Sequence, residues 1–206
     1  MARAQNVRGA ATRGRILDAA VGCLAEGGLE GLRVARVAES AGVSTGLVHY
    51  HFESREELIA EAVQASFQIA GDVRTTAKYG GGTALERLRR KVEESLPLPG
   101  RREREWELWV ELWLRAVREP PLREAAWAVY RQLHRSLEGL LADGVEAGEF
   151  AVDDPADLAD EVMALIDGYG LRALIGDPDM PVERARDRLW NALTVALERA
   201  ERSSTL

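Results

Sequence analysis

The chain has 206 residues, enough for one or two domains with a real core, and its 46% apolar and 30% charged residues argue against wholesale disorder. The single Cys23 excludes an intramolecular disulfide and a multi-cysteine zinc site, and it fits a reducing cytoplasm. Net charge is −7, yet residues 1–52 hold six arginines against four acids while residues 53–206 hold 21 basic against 30 acidic side chains, so the N-terminal part is the one suited to a polyanion.

Gly and Pro fall between stretches of helical periodicity, and no β-branched run alternates with polar residues, which predicts an all-α fold of about nine helices. The first helix is expected over 7–26, with Ile16, Leu17, Ala20, Cys23 and Leu24 as its apolar stripe, and GGLEG (27–31) ends it. A second covers 33–41 with Val34, Val37, Ala38 and Ala41 inward, and Gly42 supplies a left-handed C-terminal cap. Ser44 caps a third helix of about two turns, anchored by Leu47 and Val48.

Ser54-Arg55-Glu56-Glu57 is a capping box that opens a long fourth helix to about Thr76, with Leu58, Ala62, Ala65 and Ile69 on one face. Further helices are expected near 82–95, 101–118 and 120–147, separated by Pro97, Pro99, Gly100 and Pro120-Pro121. Asp154 caps the eighth, with Pro155 at its first position, and it runs to about Ile175. Pro181 opens the last, to about Arg202, and SSTL is a frayed end. No apolar run approaches the roughly 20 residues of a membrane helix, and the basic start MARAQNVRGAATRGR lacks the apolar stretch of a secretory signal.

Two helices joined by a short Gly-containing turn form a helix-turn-helix, whose second member enters the DNA major groove. The third helix ends in His49, Tyr50, His51 and Phe52, ring area that neither an apolar core nor a solvated face explains for the first three. Small Thr45 and Gly46 let its backbone approach base edges, the rings of His49, Tyr50 and His51 offer polar atoms to phosphates, and Phe52 packs inward. Arg55 adds a cation at a helix N-terminus.

The segment RVARVAESAGVSTGLVHYHFESREEL closely resembles the DNA-binding motif of the TetR family of bacterial repressors through Val37-Ala38, Ala41-Gly42-Val43-Ser44, Gly46, Leu47, Tyr50, His51-Phe52, Ser54, Glu57 and Leu58. The resemblance implies a three-helix DNA-binding domain over 1–53 and a helical ligand-binding and dimerisation domain over 54–206. It implies Tyr50, His51 and Arg55 as phosphate clamps and Ser44, Thr45 and His49 as groove-facing readers, with Gly46 beside them. Arg33, where the family commonly has Thr, and Thr12 or Arg13 would reach flanking phosphates. His49 stands where a Tyr is common and Leu24 where a Phe is common.

The five tryptophans all lie in the C-terminal part, and Trp106, Trp109 and Trp113 share one helix face. The stretch REWELWVELWLRAVREPPLR resembles the C-terminal domain of regulators related to BetI, a choline-responsive repressor. The resemblance implies a ligand cavity, with Trp106, Trp109, Trp113, Tyr130, His134, Met163 and Tyr169 as candidates. An aromatic wall beside Glu107 and Glu111 suits a cationic amine. Leu158, Val162, Leu165 and Ile166 on the eighth helix and Leu189, Leu193 and Leu197 on the ninth are the expected homodimer interface.

The expected function is a ligand-responsive regulator, a repressor, that binds a palindromic double-stranded DNA operator as a homodimer and is released by a small molecule. The alternative is a helical protein-interaction module, which would lack salt-dependent DNA affinity. No cofactor and no metal are expected, because His49 and His51 are two apart on a helix and point to different faces. An enzyme is not expected either: the chain has no phosphate-cradling glycine loop, no H-E-x-x-H and no Cys/His nucleophile pair.

Overall fold

The computed structural model describes the backbone of residues 2–77 and 81–198 and the side chains of residues 9–66, 81–100 and 102–197. Among these residues there are nine helices and no strand. They are α1 (Ala2–Gly31), α2 (Val34–Ala41), α3 (Thr45–His51), α4 (Arg55–Ala77), α5 (Ala84–Glu93), α6 (Arg101–Ala116), α7 (Pro120–Glu146), α8 (Pro155–Leu174) and α9 (Val182–Glu198). The expected order of elements is therefore present. The Ile69 side chain, the last helix beyond 198 and the SSTL end lie outside the described residues.

The breaks fall where glycine allows them. α1 loses helical geometry at Gly27 (φ −140°, ψ 17°) and Gly28 (φ 62°, ψ −162°), the latter a conformation that side-chain-bearing residues rarely adopt. One more turn follows and buries Leu29 and Leu32 completely. Val37 and Ala38 of α2 are buried, with Val34 and Ala41 at the margin. Gly42 then turns left-handed, its N–H donating to the Ala38 and Glu39 carbonyls. Ser44 Oγ accepts from the Leu47 N–H at 3.2 Å and caps α3.

At α4 the capping box is displaced by one residue. Ser54 Oγ accepts from the Glu57 N–H at 3.0 Å, but the Glu57 carboxylate accepts from Glu53 rather than from Ser54. Thr83 and Glu86 form a complete box on α5. The Glu149 carboxylate, from beyond α7, accepts from the free N–H groups of Ala84 and Leu85 at 3.0 and 3.1 Å, which holds it below the usual carboxylate range. Asp154 caps α8 through the N–H groups of Ala156 and Asp157.

Packing groups the chain into two compact units, residues 1–72 with 108–129 and residues 73–107 with 130–206. The sequence divides the chain by role at 53/54; packing instead joins α4 to α1 through Arg13, which meets the Glu61 carboxylate at 2.5 and 2.7 Å. The first unit is centred on Ile16, Leu29, Leu32, Val48, Phe52, Leu58 and Leu112, and Cys23 is buried on the apolar stripe of α1. The second packs α8 against α9 and α5 against α9, around Leu88, Val162, Ile166, Leu189 and Leu193. Within it Gly170 is required by close approach: any Cβ there would overlap the Trp106 ring.

Candidate DNA-contacting surface and effector region

The α2–turn–α3 segment separates its side chains into two sets. Val48 and Phe52 are buried, and the Phe52 ring lies under the Arg13 guanidinium at 4.7 Å. Arg33, Ser44, Thr45, Gly46, His49 and Tyr50 are all exposed, Tyr50 by 80%. The Tyr50 and His51 rings meet edge to face at 5.1 Å, with His51 half-buried. Leu47, expected to anchor α3, is 36% exposed, because one residue before Val48 the helix has turned about 100° off the core face. The exposed set is a row of small residues at the start of α3 and rings at its end.

Two arginines expected at phosphates are occupied by the protein itself. Arg55 donates through Nε to the Leu32 carbonyl and through Nη2 to the Leu29 carbonyl, both at 3.0 Å. Arg13 is bound to Glu61. Both lie beside a chain turn or a neighbouring helix, and sequence spacing carries no information about such partners 26 and 48 residues away. Arg33 is exposed at the N-cap of α2, and no side-chain bond caps that helix.

The seven effector candidates are divided between the two units. Trp106 is buried, with its indole N–H on the Ser95 carbonyl at 2.9 Å and its ring against Gly170, so it plugs the second unit. Trp109 and Trp113, their ring centroids 5.2 Å apart, belong to the first unit. Met163 is buried. His134 is held by the Ala156 carbonyl and by Asp160, both at 3.2 Å, with Glu138 at 3.7 Å. Tyr169 lines an open groove between α8 and α9 instead. Glu111, expected beside a cationic ligand, accepts from the Leu29 N–H, and Glu107 is exposed.

Tyr130 has a partner that sequence reasoning missed. Its hydroxyl donates to the Asp167 carboxylate at 3.0 Å. Burial pushes the Asp167 carboxyl up to about 6 against the opposing pull of that hydrogen bond, and burial together with the Asp167 charge raises the Tyr130 phenol well above its usual range. The available signal was an acid inside the apolar run MALIDGYG, a position where a carboxylate needs a reason.

The expected dimer residues lie mostly in the packing of the single chain. Leu158, Val162, Ile166, Leu189, Leu193 and Leu197 are buried within the single chain, where they hold α8 and α9 together, and Leu165 is half-buried. The helical period marks an apolar stripe but not whether its partner is this chain or another. A groove of about 440 Å³ is open along the α8–α9 pair, and Leu158, Val162, Leu165 and Leu193 line it together with Tyr169 and Val195.

Known proteins share this arrangement. Residues 16–62 match the family described as bacterial regulatory proteins, tetR family, and residues 84–198 match the BetI-type transcriptional repressor C-terminal family. The HTH-type transcriptional regulator BetI of Burkholderia mallei is 29% identical over 172 residues, covering 81% of this chain and 84% of that protein. A transcriptional regulator from Saccharomonospora viridis, solved in complex with choline, superposes with a TM-score of 0.71 at 30% identity, covering 90% of this chain and 96% of that one. A TetR-family regulator from Rhodococcus sp. gives a TM-score of 0.72 at 30% identity, over 91% and 98% of the two chains. The family is one of transcriptional regulators, not of enzymes. Among the described residues no helix is long and apolar enough to cross a membrane. With its exposed α3 and its all-helical C-terminal part, the chain belongs to the TetR family as a ligand-responsive transcriptional regulator with a BetI-type C-terminal domain.

Proposed function

We propose that the chain is a cytoplasmic repressor that holds a palindromic operator as a homodimer and releases it when a small cationic amine binds. Residues 1–53 read DNA, and residues 54–206 bind the effector and form the dimer. The observation that carries the DNA reading is the exposed row on α3 beside the fully buried Phe52. Ser44, Thr45 and His49, with Gly46 beside them, would meet base edges, and Tyr50, His51 and Arg33 would meet phosphates. Arg55 acts by fixing the turn before α2.

Tyr50→Ala is expected to weaken binding to every duplex alike, because a phosphate contact carries no base information. The dimer and the fold should be untouched, since Tyr50 is 80% exposed. Anisotropy titrations over several salt concentrations, with sedimentation on the same samples, check this. A dissociated dimer or a change confined to one duplex would sink the assignment.

The amine reading is supported by the choline complex of the S. viridis relative and by Asp167, a half-buried carboxyl whose hydrogen-bond partner is Tyr130 and which forms no ion pair among the described residues. A cation beside Asp167 binds the carboxylate form, so affinity should rise with pH through the range near 6. Choline binding at about pH 5 should be roughly tenfold weaker than at about pH 7.5, and Asp167→Asn should remove the difference. For the unliganded fold the sign is opposite: a raised carboxyl contributes stability below its unfolded value that is lost as pH rises through about 6. Asp167→Asn should therefore melt higher than wild type near neutral pH.

The experiment for the whole reading is genome-wide selection of bound duplexes followed by anisotropy with and without choline and related amines. A palindrome released by an amine supports it. Weak binding to all duplexes, flat with salt, would refute the DNA reading.

A further inference from the structure

Within the first unit, one carboxylate joins α6 to the turn that aims the helix-turn-helix. The break at Gly27-Gly28 leaves the Leu29 N–H without a helical acceptor, and Glu111 Oε2 takes it at 3.1 Å across 82 residues of sequence. The carboxylate lies directly on the glycine, since a Cβ at Gly28 would come within 3.1 Å of Oε2. On the other side of the same turn, the Leu29 and Leu32 carbonyls accept from Arg55 at the start of α4. Both leucines are fully buried. The turn is thus held through its N–H by α6 and through its carbonyls by α4.

One helical turn beyond Glu111, Arg115 is bound bidentately by Glu119 at 2.9 and 2.7 Å. The Glu119 hydrogen bond is the main cause that raises its basicity, with further contributions from Glu111 and from Glu56 on α4. The face of α6 toward α1 and α4 therefore carries an acid and a base one turn apart. α2 begins at Val34, directly after this turn, and α3 follows it through Gly42. A displacement of Glu111 along α6 pulls on the backbone at Leu29, four residues before Arg33, the α2 N-cap.

We infer that Glu111 is the positioning residue that couples α6 to the DNA-contacting helices, through its hydrogen bond to the Leu29 N–H. The inference rests on the regulator reading. It assigns the coupling to a contact made on the α1–α2 turn. Because coupling between two sites is reciprocal, DNA bound at α3 must alter α6 as much as a change in α6 alters DNA affinity.

The test needs no effector. Amide hydrogen exchange is measured with and without a selected DNA duplex, on the full chain and on Glu111→Gln and Glu111→Met. In wild type, DNA should slow exchange at Leu29 and over residues 105–116 by about fivefold or more, the lower end of usual coupling. Glu111→Gln keeps an oxygen acceptor and should retain the response. Glu111→Met has none, so DNA should still protect α3 but leave 105–116 unchanged. A full response over 105–116 in a folded Glu111→Met protein overturns the inference. So does wild-type protein that binds DNA without any change in α6, a result that stands even if the methionine variant fails to fold. Wild-type protein that binds no DNA at all removes the regulator reading, and the inference falls with it.

Discussion

Phe52→Ala should cost about 3–5 kcal/mol of stability, the usual loss for truncating a large buried aromatic. The ring is 1% exposed and sits where three elements of the first unit meet. It closes the end of α3, where its own N–H donates to the Val48 carbonyl at 2.9 Å. Arg13 of α1 covers one ring face, and the same guanidinium is bound to Glu61 of α4. Truncation leaves a cavity beneath a cation, so the Arg13–Glu61 pair loses the apolar base on which it is ordered.

For a chain of this size the loss should lower Tm by on the order of 10 °C, against total stabilities of about 5–15 kcal/mol. Tyr50→Ala, two residues earlier, should leave Tm nearly unchanged. The two variants therefore separate what α3 does for the fold from what it presents to DNA. Thermal melts followed by circular dichroism, with DNA binding measured well below the transition, read both. Equal melting of Phe52→Ala and wild type would mean that the ring does not support α3, and the inward assignment of Phe52 would be wrong.

Helix order and most boundaries were legible in the sequence because they depend on neighbours in the chain. Ser44 and Asp154 cap the amides two and three residues on, and Gly42 turns left-handed at the end of α2. The row on α3 was legible for the same reason, as two faces of one short helix. Partners distant in sequence were not. Arg55 reads as a free cation until the Leu29 and Leu32 carbonyls are placed beside it, and Glu111 reads as a ligand carboxylate until the α1 break is brought to it. Trp106, Trp109 and Trp113 share a helical stripe, yet that stripe is divided between the plug on Gly170 and the Trp109–Trp113 pair. Periodicity says which side of a helix is apolar; it does not say how many different neighbours that side meets.

The same gap applies to the dimer, where it leads to the second large effect. Most of the leucines of α8 and α9 are buried inside the chain, and the open groove, lined by Leu158, Val162, Leu165 and Leu193 with smaller residues beside them, is the pairing surface we propose for the homodimer. Ala192 is exposed, Val195 is 50% exposed, and Arg188 and Glu161 stand in the same lining as opposite charges. An isologous pairing about this groove would bring α8 and α9 against their copies in a four-helix arrangement, and each Glu161 could meet an Arg188 across it. Val195→Arg should place a cation without a partner in the centre of that contact and split the dimer. Each protomer would then hold one half-site, and affinity for a palindrome should fall by about 10²–10⁴-fold as the second contact ceases to be intramolecular. Affinity for an isolated half-site should be unchanged, because α3 is untouched. Sedimentation together with anisotropy on whole and half operators distinguishes this from damage to the fold. A Val195→Arg protein that remains dimeric at micromolar concentration would show that the pairing surface lies elsewhere on the chain.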